Sequence, residues 1–210
     1  MSQLRNNGLS VLLLAAALCA LALAGCNQNA APVAPAGSQT VTGSEGNVKM
    51  NMALGKQTPT APGRYVSKSG GFSLAPPAGW SGLDASMGGK TAHAFTGPAT
   101  DGFATNLVVE DGSAPSTSEM VAGYKKAIEA TGGAMTLEGE SAITVDGEPG
   151  IQLKIHNQGS ANGNPFDAEQ FTAFADHNGK GCALTYSVAA SSPGTAESDF
   201  AKIVSTVKWE

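Results

Sequence analysis

Hydrophobic positions follow different patterns along the chain, and the first is an uninterrupted run. Leu, Ala and Val dominate from Leu9 to Leu23 without a charge, and one cation, Arg5, precedes the run. The run is shorter than the roughly 20 apolar residues that a membrane-spanning helix requires. Small residues follow it in place of a basic cluster. The pattern predicts an export signal peptide over residues 1–25.

The second stretch, residues 26–63, has hardly any aliphatic side chains. Ala, Pro, Gly, Ser, Thr, Gln and Asn make up most of it. Such a composition buries too little apolar surface to offset the entropy lost on ordering. We therefore expect a flexible linker here and a folded domain over residues 64–210.

The folded part begins with short runs of alternating apolar and polar residues, which is the period of a half-buried strand. The alternation is clearest at Ile151, Leu153 and Ile155. Asp146-Gly147 and Asn178-Gly179 are residue pairs that favour tight hairpin turns. The predicted strands cover 64–67, 72–75, 91–96, 105–110, 135–145 with a break near Gly139, 150–156, 168–175 and 182–189.

Helical spacing of apolar residues interrupts this pattern twice. Ser116 and Glu119 have the spacing of a capping box, so the first helix is predicted over 117–131, before Gly132-Gly133. The second is predicted over 195–206, with Phe200 and Ile203 on its apolar face. The fold class is therefore α+β, with a mostly antiparallel sheet sandwiched by helices.

Composition and cysteine usage narrow the picture further. The formal net charge is −5 and charged residues are only 14% of the chain, so we expect no nucleic-acid partner. Cys182 is the only cysteine after residue 26. Because Leu184 and Tyr186 share its face of a predicted strand, we expect a buried, inert thiol, although a reactive thiol or an intermolecular disulfide partner are alternatives.

No group of residues in the sequence has the spacing of a catalytic or metal site. His93, His156 and His177 lie far apart from one another and from Cys182, so a metal site would have to be assembled by the fold. Gly88-Gly89-Lys90-Thr91 lacks the first glycine of a phosphate-binding loop. We predict no catalytic residue, no metal ligand and no cofactor.

One connection is predicted to be much longer than a hairpin needs. Residues 157–167 are rich in Asn and Gly and join two predicted strands, where two to five residues would suffice. The candidate partner-binding residues of this loop are Asn157, Gln158, Asn162, Asn164, Phe166 and Asp167. A flexible loop that merely tolerates insertion is the alternative, and residues 80–90 are a second candidate surface.

The end of the apolar run resembles the lipobox of bacterial lipoproteins. The motif is Leu23-Ala24-Gly25-Cys26. The resemblance implies cleavage before Cys26, acylation of its thiol with chains such as palmitate, and anchoring on the exported face of a membrane. Asn27 stands where an inner-membrane retention signal has Asp, which implies the outer membrane in a cell with two. An ordinary signal peptide or an uncleaved anchor are the alternatives.

Residues 64–210 resemble the PsbP-like domains. The similarity lies in the opening strand at 64–67, in the Gly-Phe-Ser, Pro and Gly-Trp positions of 71–80, in the hairpin around 146–150 and in the closing amphipathic helix. These domains include photosystem II extrinsic subunits, a Ran-binding import factor and envelope lipoproteins of the DcrB and LpqN types. The resemblance implies an α/β/α fold but no common active site.

These observations favour a non-enzymatic interaction or accessory module held at the bacterial cell envelope. Its expected contacts are the membrane, through acyl chains on Cys26, and an envelope protein partner. A lipoprotein that binds a small ligand or a metal ion is the alternative. An envelope hydrolase is the third class.

Overall fold

The structure is a computed structural model, and it describes residues 39–43, 46–50, 53–54, 58–59, 63–69, 71–87, 90–113, 116–161 and 164–210. The predicted signal peptide and Cys26 lie outside these residues. Within the predicted linker, the described segments form short strands, so the flexibility of the linker as a whole stays a prediction.

Antiparallel strands form most of the described structure. The strands are β1 (Gln39–Gly43), β2 (Gly46–Met50), β3 (Ala53–Leu54), β4 (Thr58–Pro59), β5 (Tyr65–Val66), β6 (Phe72–Leu74), β7 (Ser81–Met87), β8 (Lys90–Thr100), β9 (Phe103–Ser113), β10 (Met135–Val145), β11 (Glu148–Ala161), β12 (Asn164–His177), β13 (Lys180–Ala189) and β14 (Lys208–Trp209). The main sheet runs in the order β2-β1-β11-β12-β13-β9-β8-β7-β3, with β10 also on β11 and β4 also on β7. A small second sheet has the order β14-β6-β5.

The predicted hairpin turns are confirmed. Asp146 and Asn178 have φ of 48° and 50°, and the glycines that follow them have φ of 91° and 75°. Asp and Asn tolerate this left-handed region and glycine enters it freely. The predicted break in β10 is also confirmed, because the register between β10 and β11 shifts between Leu137 and Gly139.

Two helices pack on opposite faces of the main sheet, which confirms the predicted α/β/α arrangement. They are α1 (Thr117–Glu129) and α2 (Ala196–Ser205). The Ser116 amide donates to Glu119 Oε2 at 3.0 Å, as a capping box requires. The Thr117 amide donates to Asp176 Oδ1 at 2.7 Å, which ties α1 to the β12–β13 turn.

The core divides along the alternation of the strands. On β12, Phe171, Ala173 and Ala175 pack in the cluster beneath α2, whereas Phe174 packs beneath α1. Successive strand residues point to opposite faces, so a strand covered by a helix on each side is apolar throughout. This arrangement explains why all of β13 from Gly181 to Ala189 is buried.

The structure corrects three expectations about strand content. First, β11 and β12 run through most of residues 157–167 and pair as far as Ala161 with Asn164, so the predicted long loop is wrong. Second, residues 81–87, within the predicted second surface, form β7. Third, β1 and β2 form a hairpin beside β11, and β3 and β4 pair with β7. Strand pairing at a sheet edge uses backbone groups and needs no apolar pattern.

Among the described residues, no helix combines the length and the apolar character that crossing a membrane would require.

Candidate functional site

A groove lies between α2 and the end of the main sheet that holds the β8–β9 irregularity, and we call it the α2-face groove. Its volume is about 440 Å³, and it is open to solvent on one side. The lining residues are Ala75, Pro77, Trp80, Pro98, Thr105, Tyr186, Asp199, Lys202, Ile203 and Thr206. It is thus built from the segment before β7, from β8, β9 and β13, and from α2.

The groove borders an aromatic stack that continues into the core. The rings of Trp80 and Tyr186 lie 6.3 Å apart between centroids with planes 16° apart. Tyr186 stacks in turn on Phe200, at 5.9 Å and 10°. Because Phe200 is fully buried, the stack fixes the orientation of the two rings at the groove.

The place of Trp80 depends on a glycine across the sheet. A Cβ at Gly97 would lie only 2.3 Å from Trp80 Cε2, so the indole covers bare backbone. Gly97 and Pro98 lie where the register between β8 and β9 shifts, between Thr96 and Ala99. Pro98 cannot donate to a strand ladder, and this irregular point accommodates it beside the groove.

Polar groups on α2 close one side of the groove without adding net charge. Lys202 Nζ donates to Asp199 Oδ1 at 2.8 Å, and Thr195 Oγ1 donates to Asp199 Oδ2 at 2.6 Å. These two contacts hold the pKa of Asp199 below its ordinary value. Thr206 Oγ1 accepts from the Ala75 amide at 3.0 Å, which joins α2 to the opposite wall.

Two hydrogen-bond donors at the groove are left without a protein acceptor. Tyr186 is 6% exposed and Trp80 is 9% exposed. No hydrogen bond within the described part of the chain involves the Tyr186 hydroxyl or the Trp80 indole nitrogen. Burial, with a smaller effect from the charge of Asp199, raises the pKa of Tyr186. The hydroxyl therefore stays protonated at neutral pH and can donate to a bound group.

A second polar cluster surrounds His93, at the opening strand. His93 Nδ1 lies 2.8 Å from Asp84 Oδ1, and Lys68 Nζ lies 3.1 Å from Asp84 Oδ2. The His93 ring stacks on Tyr65 at 4.6 Å. Within the described ranges, no hydrogen bond joins His93 to a serine, threonine or cysteine. The pair therefore has the base and its orienting carboxylate but no nucleophile to activate.

The predicted loop residues occupy very different environments in the β11–β12 hairpin. Asn157 and Phe166 are buried, at 2% and 8% exposure, so Phe166 is not the exposed aromatic anchor that we expected. Gln158 and Asp167 are exposed, and Gln158 Nε2 donates to Asp167 Oδ2 at 3.4 Å. Asn164 pairs with Ala161 in the ladder, and Asn162 lies outside the described residues.

Phe166 is buried because the opposite strand carries a glycine. A Cβ at Gly159 would approach Phe166 Cζ to 2.8 Å, and Phe103 packs on the same ring at 6.4 Å between centroids. A glycine that suggests a loop in the sequence therefore makes room for an aromatic ring in a strand pair.

The remaining candidates from the sequence lie apart. Cys182 is 2% exposed, so the predicted burial of its thiol is confirmed. His156 Nε2 lies 3.1 Å from Asp167 Oδ1, and His177 Nδ1 lies 2.7 Å from Glu148 Oε1. In the described part of the chain, no group of three or more His, Cys, Asp or Glu residues lies together as a metal site would need.

The sequence placed Trp80 at the start of the second candidate surface, residues 80–90, but did not predict the groove. Part of the signal was present, since Pro76-Pro77 follow the end of the predicted strand 72–75 and Trp80 comes soon after. The other walls come from Pro98, Tyr186 and α2, which lie far apart in sequence. Only the sheet order brings them together.

Comparison with solved structures establishes the fold. The cyanobacterial PsbP protein, CyanoP, from Synechocystis sp. PCC 6803 superposes with a TM-score of 0.53 at 19% identity, over 70% of this chain and 92% of that one. The chain therefore has a PsbP-like fold. At this level of identity the likeness extends to the fold alone.

More distant similarities add no argument about function. A protein of unknown function from Pseudomonas aeruginosa, PA94, described as a putative regulator, has a TM-score of 0.46 at 16% identity, over 69% of this chain and 94% of that one. LpqN, described as involved in cell envelope biogenesis of Mycobacterium tuberculosis, has a TM-score of 0.41 at 15% identity, over 74% of this chain and 91% of that one. No protein-family model and no curated protein sequence matches the chain.

Proposed function

We propose that the chain is a lipid-anchored protein of the bacterial envelope whose PsbP-like domain binds a partner through the α2-face groove and catalyses no reaction. The observation that carries the proposal is the groove itself, whose wall holds two donors, Tyr186 and Trp80, with no acceptor among the described residues. Neither donor atom is among the buried polar atoms that lack a partner, so both can be reached from the groove. A bound partner can therefore accept hydrogen bonds from them.

Support for the anchor comes from the sequence. Leu23-Ala24-Gly25-Cys26 matches a lipobox at the end of an apolar run. Two or three acyl chains on one cysteine anchor a protein stably, whereas a single chain binds reversibly. The linker between Cys26 and the domain then sets the reach of the groove from the membrane surface.

Support for a non-catalytic role comes from the residues of the Asp84–His93 pair and of the α2-face groove. Nucleophilic or acid–base catalysis needs titratable groups that converge with a positioned partner. The Asp84–His93 pair lacks a nucleophile among the described residues, and the α2-face groove contains neither histidine nor cysteine. Contact requires only shape and matched hydrogen bonds.

The second candidate function is binding of a small ligand in the same groove. Its volume of about 440 Å³ lies within the roughly 300–1,000 Å³ of small-molecule sites. The metal-ion alternative has no supporting observation in the described residues. The exposed part of the β11–β12 hairpin, at Gln158 and Asp167, is a further contact surface to test.

Crosslinking in intact envelopes tests the contact surface. A photoreactive residue replaces Lys202, in the last turn of α2 at the groove, or Lys126, in the last turn of α1 on the other face. A third variant places it at Gln158. We expect adducts from position 202 and none from position 126. Adducts from position 158 alone would move the contact surface to the β11–β12 hairpin. The absence of adducts from both position 202 and position 158 would contradict the proposal.

Acylation tests the anchor separately. Metabolic labelling with an alkyne fatty acid should label the protein, and Cys26→Ser should abolish the label and release the protein from membranes. A Cys26→Ser protein that resists salt and carbonate washing would instead support an uncleaved anchor.

A further inference from the structure

The described strands of the predicted linker attach it to both edges of the main sheet. At one edge β1 pairs with β11, where Val41 lies opposite Ala161. At the other edge β3 and β4 pair with β7, and Leu54 lies opposite Ala85. We call these four strands, within residues 39–59, the strap. The strap therefore belongs to the sheet, although its composition predicts a flexible linker.

The two attachments of the strap lie close together, although they are at opposite ends of the strand order. Met50 ends β2 and Ala53 begins β3, so three Cα–Cα steps of about 3.8 Å separate them by at most about 11 Å. β2 and β3 are the first and the last of the nine strands along the sheet. At roughly 4.8 Å between neighbouring strands, a flat sheet would place them roughly 38 Å apart. The main sheet therefore coils until its edges approach each other, and the strap bridges them.

The strap also ends the sheet at the β7 edge. Between the pairs Leu54–Ala85 and Thr58–Gly82 the strap has one residue more than β7, which is the residue count of a β-bulge. Pro59, the last paired residue, has no amide hydrogen to donate. Bulges and prolines are means by which edge strands avoid pairing with other chains. The strap thus covers backbone groups of β7 and is itself a poor template for a further strand.

The strap shortens the tether between the lipid anchor and the domain. If the whole predicted linker were free, residues 26–63 would span at most roughly 130 Å, at about 3.5 Å per residue. Because β1 begins at Gln39, only residues 27–38 separate Cys26 from the sheet, and they span at most roughly 45 Å. Pairing of β1 therefore removes about two-thirds of the greatest distance that the domain can reach from the membrane.

β1 further determines which end of the domain lies toward the membrane. Ala161 pairs with Asn164 at the tip of the β11–β12 hairpin, and Val41 pairs with Ala161, so the tether joins the sheet at this tip. Phe103, at the β8–β9 turn, packs against Phe166 at 6.4 Å between ring centroids. The β8–β9 turn therefore lies at the same end of the sheet.

We propose that the strap holds the domain close to the membrane, with the tip of the β11–β12 hairpin toward the lipid surface, and closes the edges of the main sheet against other chains. This inference rests on the lipid anchor at Cys26 in the proposed function and deepens it. The anchor and the strap together determine the distance and the orientation of the domain.

Engineered disulfides in the full chain, in detergent, test the strand pairing. Leu54→Cys and Ala85→Cys lie opposite each other in the ladder, where the distance between Cα atoms is about 4.5–5.5 Å and suits a disulfide. Mild oxidation should therefore link them. Leu54→Cys with Leu83→Cys is the control, because a partner two residues out of register lies roughly 7–8 Å away. Cys182 is 2% exposed and should not compete.

Energy transfer to acceptor lipids tests the distance and the orientation. The acylated chain is placed in vesicles with a donor dye on Gln158→Cys, at the tip, or on Glu210→Cys, at the other end. Glu210 lies there because the adjacent Trp209 amide donates to Asp146 Oδ2 in the β10–β11 turn. The length of β11 separates the two ends by about 40 Å, so the dye at position 158 should transfer more energy than the dye at position 210.

Proline substitutions release the strap. Proline lacks the amide hydrogen that a strand ladder uses, so the release variant carries proline at four paired positions, Val41, Thr42, Leu54 and Thr58. The control variant carries four prolines within residues 27–38, at Gln28, Asn29, Ala34 and Ala36. Only the release variant should lose energy transfer at position 158 and the difference between the two dyes. Its β7 amides should also exchange hydrogen faster than those of the control.

Three results would overturn the proposal. If Leu54→Cys links to Leu83→Cys as readily as to Ala85→Cys, the strap does not hold the β7 edge. Equal energy transfer from positions 158 and 210 would exclude the orientation, and unchanged transfer in the release variant would exclude a strap that limits the distance. Failure of the proposed function is distinguishable, because the disulfides form in detergent without an anchor. A chain with no fatty-acid label at Cys26 would exclude the anchor, whatever the disulfides show.

Discussion

Two buried tyrosines on opposite faces of the sheet have different surroundings. Tyr124 of α1 is 1% exposed, and its hydroxyl accepts from Thr172 Oγ1 at 3.5 Å. Tyr186 of β13, at 6% exposure, has a ring packed between two aromatic side chains, and its hydroxyl has no acceptor among the described residues. Tyr124 closes a polar network, and Tyr186 offers a donor to a groove.

The difference between the two tyrosines distinguishes polar groups that stabilise the fold from polar groups that are available to a partner. On the α1 side, Thr172 Oγ1 lies 3.2 Å from Thr185 Oγ1, so buried polar groups of neighbouring strands satisfy each other. Two buried acceptors are exceptions there, Asn106 Oδ1 and Gln170 Oε1, which have no hydrogen-bond partner within the described ranges. On the α2 side, the unmet donors lie at an open groove. These donors are reached by solvent at the groove, so they cost the fold little and stay available to a partner.

Removing an equivalent aromatic ring from each face should have the largest effect. Phe200 under α2 and Phe174 under α1 are both almost fully buried. Either change to alanine should lower the free energy of unfolding by about 3–5 kcal/mol, measured by denaturant titration. Only Phe200→Ala should also shift the Trp80 emission. A shift from Phe174→Ala of the same size would show that the two faces are coupled.

Adding one methyl group beneath Trp80 should have the next largest effect. Gly97→Ala places a Cβ against the indole, so overpacking should cost about 1–3 kcal/mol and displace Trp80 from Tyr186. Gly139→Ala is the control, because its Cβ would meet only Lys154 Cβ, at 3.9 Å. Equal stability of the two variants would mean that Trp80 does not pack on Gly97.

Local signals in the sequence predicted the regular elements well. The capping residues Ser116 and Glu119 locate α1, and α2 begins and ends within a residue of its predicted bounds. Asp146-Gly147 and Asn178-Gly179 locate two turns, because few residues adopt positive φ. Helix caps and turns depend on residues that are adjacent in sequence, so they can be predicted from the sequence alone.

Features that depend on distant residues were not predictable in the same way. The β11–β12 hairpin looked like a loop because Gly159 and Asn157 are poor strand formers. Their place in the strand depends on Phe166 across the ladder. The groove depends on the sheet order, which brings Pro98 to Tyr186. The edge strands of residues 39–59 carry only a short apolar alternation, at Val48 and Met50.

A smaller effect is expected from pH at the second polar cluster. The hydrogen bond from His93 and then the contact with Lys68 hold the pKa of Asp84 below its ordinary 3.8. The stabilisation is therefore complete above about pH 5 and is lost as the pH falls through the lowered pKa. The Asp84 side chain is 51% exposed, so we expect less than about 1 kcal/mol.

Asp84→Asn should thus lower the free energy of unfolding at pH 7 and have almost no effect at pH 2. Glu197→Gln, at an exposed position of α2, is the control at both pH values. An effect of Asp84→Asn that persists at pH 2 would show that packing, and not charge, makes Asp84 stabilising.

The central claim is that the α2 face binds while the α1 face only stabilises. Its most direct measurement compares Tyr186→Phe with Tyr124→Phe for thermal stability and for crosslinks from position 202 per folded molecule. Tyr186→Phe should keep the Tm and reduce the crosslinks. Tyr124→Phe should lose about 1 kcal/mol of stability and keep them. Unchanged crosslinks in Tyr186→Phe, together with a lowered Tm, would contradict the account.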